Sequence, residues 1–260
     1  MTKKTFLLII PILLFSCKND VEKITDPLTG TVLKQYDYYL DDNGQKVKDG
    51  TSSEWNSNGT IRLTENFKDG KREGESIFYE SKDSIRVNRF KDDKLDGECI
   101  LKNSKDVVLS VYNYSNGQKH GTMQYNTVSG EKHIVGEYKN DLQIGSWLYF
   151  DKNGKQVAKI NFKDGVPTDV IGKWLIDEDP NAYFLFKDDG TYSLWEKYNK
   201  YALKPTETNG GQYSIGNGFI MEVILDMRKV AVNYDIEFFD GNKLILTYED
   251  IRWVLTKVKN

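Results

Sequence analysis

The feature that most constrains this chain is a repeat of about 24 residues. The segments "NFKDGKREGESIFYESKD", "RFKDDKLDGECILKNSKD", "NYSNGQKHGTMQYNTVSG", "EYKNDLQIGSWLYFDKNG" and a shortened "NFKDGVPTDV" follow one another in line. Their leading aromatics, Phe67, Phe90, Tyr114, Tyr138 and Phe162, are spaced 23, 24, 24 and 24. Gly50, Gly74, Gly97, Gly121 and Gly145 keep the same step, and so do the turn positions Gly59, Asp83, Asp106, Gly130 and Gly154. Three agreeing registers mark a repeat architecture, in which each unit buries its apolar surface only by stacking on its neighbours.

The chemistry of one unit predicts a β-hairpin. "KDG", "SNG" and "KND" supply Asn, Asp and Gly, the residues that accept the positive φ of tight hairpin turns. Each turn is flanked by about seven residues rich in aromatic and β-branched side chains, the length of a strand. Sixteen tyrosines, a 13% aromatic content and only five prolines agree with pleated sheet rather than helix. About five hairpins in series predict an elongated, single-layer antiparallel β-meander over residues 36 to 168.

The recurring order of aromatic, turn, glycine and a second apolar cluster resembles the MORN-type repeat in its bacterial variant form. Asp93 and Asp141 stand where other units have a turn glycine. The resemblance implies a spacer or binding surface with no catalytic residue. Some relatives are suggested to bind membrane surfaces and some are labelled antitoxins, but the linear sequence shows no basic stripe.

Period ends near Pro167, and residues 169 to 260 read differently. Short candidate strands at about 172–177, 182–187, 191–197, 211–216, 218–225, 231–239, 243–249 and 252–258 are separated by "KDDG", "NGG", "IGNG" and "FDGN". Eight antiparallel strands in so short a stretch predict a small closed or nearly closed barrel, which removes exposed edges. Gly172-Lys173-Trp174 followed by "FKDDGTYSLW", "GQYSIGNG", "DGNKLILTYED" and "RWVLTKV" resembles the small lipocalin-like domains of bacterial envelope proteins. That resemblance implies a structural Trp174 at the closed end and an interior that in some members takes a small apolar molecule. Phe184, Phe186, Tyr192, Trp195, Tyr213 and Phe238 are the candidate ligand-lining residues.

The N-terminus carries Lys3 and Lys4 ahead of an apolar run from Phe6 to Phe15. As a helix this run rises about 15 Å, half of a hydrocarbon core, so it reads as a secretory segment rather than a span. Leu14-Phe15-Ser16-Cys17 resembles the bacterial lipobox. It implies a signal peptide over residues 1–16, a diacylglycerol-modified and acylated Cys17, and a lipidated tether over residues 17–35. Lys18-Asn19-Asp20 is similar to tethers that send some lipoproteins to the cell surface.

Searching for reaction chemistry returns little. Cys99 aligns with Ser52, Ser76, Met123 and Trp147, two residues past the repeat glycine, and a position accepting all five is a packing position. His120 sits in a slot held elsewhere by Glu73, Asp96 and Ile144, and His133 lies in another unit, so no metal set is predicted. Asp177 to Pro180, "DEDP", reads as a solvated loop. No nucleophile elbow, zincin, P-loop or dinucleotide pattern occurs. With 39 acidic against 36 basic residues and no dense Lys/Arg block, nucleic acid is not an expected partner. The expectation is a non-enzymatic, cofactor-free lipoprotein of the cell envelope, held on the outer membrane at its periplasmic face or at the cell surface. It would bind a protein or a small apolar molecule.

Overall fold

The computed structural model describes residues 19–81, 83–196, 206–215, 220–225 and 230–259. Among them every regular element is a strand. Fourteen strands from Asp20–Thr25 to Val166–Pro167 form one sheet in which each pairs antiparallel with the next, the two-residue strand Lys94–Leu95 lying off the main path. Eight more, Gly172–Ile176, Asp179–Phe186, Thr191–Glu196, Thr206–Ile215, Ile220–Leu225, Val230–Phe239, Lys243–Tyr248 and Ile251–Lys257, close into an antiparallel barrel. The closing pair is Gly172–Ile176 with Ile251–Lys257. The expected meander followed by an eight-stranded barrel is the observed architecture.

The repeat has a backbone cause. At one end of each hairpin two central residues have positive φ: Asp69 and Gly70, Asp92 and Asp93, Asn116 and Gly117, Asn140 and Asp141, Asp164 and Gly165. These are two-residue turns whose twist matches that of the flanking strands. The second of these residues donates its N–H to a carbonyl of the preceding unit: Gly70 to Lys48, Asp93 to Arg72, Gly117 to Leu95, Asp141 to Lys119 and Gly165 to Gln143, all at 2.8–3.1 Å. Every turn is therefore clipped to the hairpin before it.

Two turns go further. The Asp93 carboxylate accepts the Arg72 N–H at 2.9 Å, and the Asp141 carboxylate accepts the Lys119 N–H at 2.8 Å. Asp at these positions thus adds a return bond that glycine lacks. Glu73 and Asp96 accept from the N–H groups of Asp92 and Asn116 in the next turn. His120, in the same register, meets Asn140 at 3.3 Å. The slot that holds His120 is a stitching position between turns.

Each repeat glycine marks a bulge. Lys119 and Met123 pair with Tyr114 and Tyr112, so three residues including Gly121 stand opposite Asn113 alone. Gly121 has φ +94, open to glycine at no steric cost. The Asn113 side chain fills the gap by donating to the Thr122 carbonyl at 2.9 Å, and Asn66 does the same for Glu75 at 3.0 Å.

Strand alternation then places Ser52, Ser76, Cys99, Met123 and Trp147 along one face. They are 2%, 3%, 6%, 1% and 0% exposed, so all five are packing positions and side-chain volume grows toward the barrel. Trp147 makes an edge contact with Tyr138 at 5.2 Å and a tilted one with Phe162 at 5.7 Å. Gly136 lies beneath it, where a Cβ would stand 2.3 Å from the indole ring. One buried cluster continues from Met123 and Trp147 through Ile160 and Val170 to Trp174 and the barrel interior.

Three expectations change. Asp20–Thr25, placed in the tether, is the first strand of the sheet and pairs with Val32–Leu40. Its turn is built by Asp26, whose carboxylate accepts from Leu28 at 2.8 Å and Thr29 at 3.0 Å. "NGG" is not a turn: Asn209, Gly210 and Gly211 pair with Leu194, Ser193 and Tyr192 within a strand. "DEDP" is only half a loop, since Asp179 already begins a strand.

Replacing Gly136 by Ala should lower stability by about 1–3 kcal/mol through overpacking against Trp147, read as a shift in the urea midpoint. A second prediction concerns acid. The carboxyl of Asp93 is held below the usual carboxylate range, first by the N–H of Arg72, and that of Asp151 first by the N–H of Lys155. A depressed folded value means the contribution is present above the unfolded value, about 3.9, and is lost as pH falls through the folded one. Urea midpoints at about pH 6 and pH 3 should therefore differ less in Asp93→Gly, which keeps the left-handed turn, than in the parent.

Candidate binding face

The face that carries the packing row also carries a row of cations two residues before each repeat glycine: Lys48, Arg72 and Lys119, with Leu95 and Gln143 in the intervening and final units. Each cation is laid on aromatic rings of the neighbouring strands. Lys48 Nζ lies 4.3 Å from the Phe67 centroid and 5.2 Å from that of Tyr36. Arg72 lies 4.1 Å from Phe90, and Lys119 lies 4.9 Å from both Tyr112 and Tyr138. Contacts of this kind contribute about 0.5–1 kcal/mol each at exposed sites. Burial, with Lys34 nearby, pushes the Lys48 ammonium below its ordinary value.

Between the second and fourth units this face forms a groove of about 690 Å³. Arg72, Arg86, Lys94 and Lys119 contribute its positive charge, Phe90, Tyr112 and Tyr114 its rings, and Asn88 and Ser110 its neutral polar groups. Arg86 pairs with Glu80, and Arg72 with Asp93 at 3.3 Å. Among the described residues no carboxylate pairs with the ammonium of Lys94 or Lys119. Lys119 also borders a second cleft of about 350 Å³ where the sheet meets the barrel, lined by Tyr138, Asp141, Gln143, Ser214 and Ile215. The two spaces share that lysine. Cys99 is a free, buried thiol on the groove floor, and burial raises its pKa.

Linear reading missed this face. Its charges, Arg72, Arg86, Lys94 and Lys119, are 8 to 25 residues apart from one to the next in the chain and become neighbours only when the hairpins stack. The available signal was the position two before each glycine, which reads Lys, Arg, Leu, Lys, Gln.

The aromatic residues predicted to line the barrel separate into two groups. Phe184, Phe186, Tyr192 and Tyr213 are buried together in the interior. Phe184 stacks on Phe186 at 5.6 Å, Phe186 meets Tyr213 edge-on at 4.9 Å, and Trp253 closes on Phe184 at 5.1 Å. Tyr213 donates its hydroxyl to the Lys187 carbonyl at 3.0 Å, and burial raises its pKa. Trp195 and Phe238 face outward instead. A bulge at Ile236 and Phe238 keeps Ile236 and Phe239 inside and turns Phe238 out, where it is 37% exposed. Trp195 stacks on Tyr183 at 5.8 Å, and the Lys173 ammonium lies 3.7 Å from the Tyr183 centroid on the same outer surface. The bulge leaves no mark in a period-two pattern, whereas Trp195, three residues from inward Tyr192, faces outward by plain alternation.

Trp174 is fully buried and donates its indole N–H to the Val170 carbonyl at 2.7 Å, tying the first barrel strand to the chain that leaves the sheet. Lys257 joins this seam by donating to the Asp169 carbonyl at 2.7 Å. Cys17 and the apolar run before it lie outside the described residues. Among the described residues no three His, Cys, Asp or Glu side chains come together as a metal site. His133 bonds the Phe150 carbonyl at 2.8 Å, and Asp177 accepts from the Thr256 hydroxyl at 2.7 Å.

The fold defines a class: an all-β chain in which a repeat-built sheet runs into a closed barrel. No family model matches the chain, and no curated protein matches it.

The inward and outward assignments are testable by paired truncation. Phe184→Ala should cost about 3–5 kcal/mol of stability. Phe238→Ala should stay within about 0.5 kcal/mol of the parent, both measured by equilibrium urea unfolding.

Proposed function

We propose that this protein is a non-enzymatic binding or scaffold module of a bacterial envelope, tethered to a membrane by lipid on Cys17 and presenting the repeat sheet to a partner. The observation that carries the binding role is the groove of about 690 Å³ on a sheet face lined by cations and aromatic rings. A repeat sheet gives such a face length at little cost in topology, since each hairpin adds the same surface again. Support for the tether comes from the sequence: a basic head, an apolar run too short to span, and Leu14-Phe15-Ser16-Cys17. The first described strand begins three residues after Cys17, so a lipid there would hold the edge of the sheet close to the bilayer. The repeat resemblance supports the same reading, since MORN-type repeats serve as spacers and binding surfaces.

Cells fed labelled palmitate should incorporate label into the parent protein and none into Cys17→Ser, which should leave the membrane fraction. Equal labelling of both would reject the tether.

A further inference from the structure

We infer that the groove on the repeat face binds an acidic polysaccharide, a chain of sugar rings bearing carboxylates, with Lys94 and Lys119 as its principal charged contacts. The inference deepens the envelope-binding reading and rests on it for where the ligand would be met.

Charge is the first consideration. The chain as a whole is acidic, with a formal charge of −3, yet this groove gathers Arg72, Arg86, Lys94 and Lys119 against Asp93. Two of those cations are matched by carboxylates, while Lys94 and Lys119 are not, among the described residues. Lys119 is held between Tyr112 and Tyr138, so its ammonium is positioned before any ligand arrives and less side-chain freedom is lost on binding. An anion is the complement of such a surface.

The second consideration separates polymers. Cation-on-ring positions fall at Lys48, Arg72 and Lys119, whole numbers of hairpins apart, that is in steps of two strands or roughly 9–10 Å, with Leu95 taking the step between the last two. A ligand with its own short repeat can use such a surface in register; a single small anion can use only one step of it. Acidic peptides and acidic glycans both qualify on charge. A peptide brings a backbone N–H and C=O at every residue, and those groups need partners when buried. The groove lies on the face of the sheet, where the strands' own backbone groups are already paired to left and right. The usual route of strand addition works at an edge and is closed here. A sugar ring asks for what the floor offers instead: the aromatic surface of Tyr114 for its C–H face, the cations seated on Phe90 and Tyr112 for its carboxylates, and side-chain donors and acceptors for its hydroxyls.

The third observation lies at the barrel end. Gln143, the residue of the cation register in the last complete unit, lines the cleft that Lys119 also borders. Its amide nitrogen is buried with no hydrogen-bond partner among the described residues. A buried donor left unpaired is costly and rare in native proteins.

The test uses the full-length protein in detergent and three polymers in calorimetric titrations: polygalacturonate, the same polymer fully methyl-esterified, and poly-glutamate. Polygalacturonate should bind, its affinity should fall steeply with salt, and the ester should bind at least about tenfold more weakly, the loss of one charge-assisted contact. Poly-glutamate, which keeps the charge but has no sugar rings and brings unpaired backbone groups, should bind more weakly as well. Lys119→Ala and Lys94→Glu should each weaken polygalacturonate by a similar factor. Lys94 is exposed at a turn, so its substitution tests the groove without touching the packing of Tyr112 and Tyr138; thermal unfolding checks that both variants fold. Absence of polygalacturonate binding, equal binding of the ester, or an affinity unchanged in both variants overturns the proposal. Poly-glutamate binding as tightly as polygalacturonate overturns it in favour of an acidic peptide. Cys17 is untouched in these variants. A chain that carries palmitate but ignores polygalacturonate therefore rejects the glycan alone, and a chain that binds it without carrying lipid rejects the tether alone.

Discussion

A sheet one layer thick has no second layer to hold it, and here the hydrogen bond from each hairpin turn to the preceding unit takes that part. The second turn residue donates to the carbonyl two positions before the previous glycine, in five successive units. Each such bond is worth only about 0.5–1.5 kcal/mol net. Its effect is larger than its energy because it locks the turn, the bulge and the strand register into one repeating geometry. With that geometry set, a side chain at a given place in the repeat faces the same way in every unit.

Two rows on one face follow from the lock. One position faces the packing row, and its occupants grow from Ser52 and Ser76 to Cys99, Met123 and Trp147 as the sheet approaches the barrel. Small residues suffice where long neighbours fold over them; a full indole is needed where the sheet face becomes continuous with a three-dimensional core. Gly136 is the complement of that growth, since Trp147 occupies the space a side chain there would take. Another position faces the cation row, where Lys48, Arg72 and Lys119 lie on their neighbours' rings. The aromatic residues of the repeat thus have two roles at once. They cover the floor against water, and they hold positive charge in place above it.

The barrel is closed along its seam, Phe184, Phe186, Tyr192 and Tyr213 are buried in its interior, and its joint with the sheet is tied by Trp174 to Val170 and Lys257 to Asp169. That joint places the strand ending at Ile215 beside the cation row. A groove that would otherwise run off the end of the sheet is bounded there by a second domain wall.

The linear order of residues determined a great deal of this. Turn chemistry, a 24-residue period and eight short strands define an all-β meander ending in a barrel, and the alignment of Cys99 with Ser, Met and Trp assigns it to packing, because these are local and periodic properties. Bulges were less legible. A single extra residue reverses every side chain beyond it, which is why Phe238 faces outward while Ile236 and Phe239 face in; Trp195 faces outward by plain alternation from inward Tyr192. The first strand was hidden in a charged segment whose pairing depends on a partner rather than on its own composition. Only the tertiary structure decided that Arg72, Arg86, Lys94 and Lys119 share one groove. Their proximity comes from stacking hairpins at a common register, and distance between stacked strands bears no relation to distance along the chain.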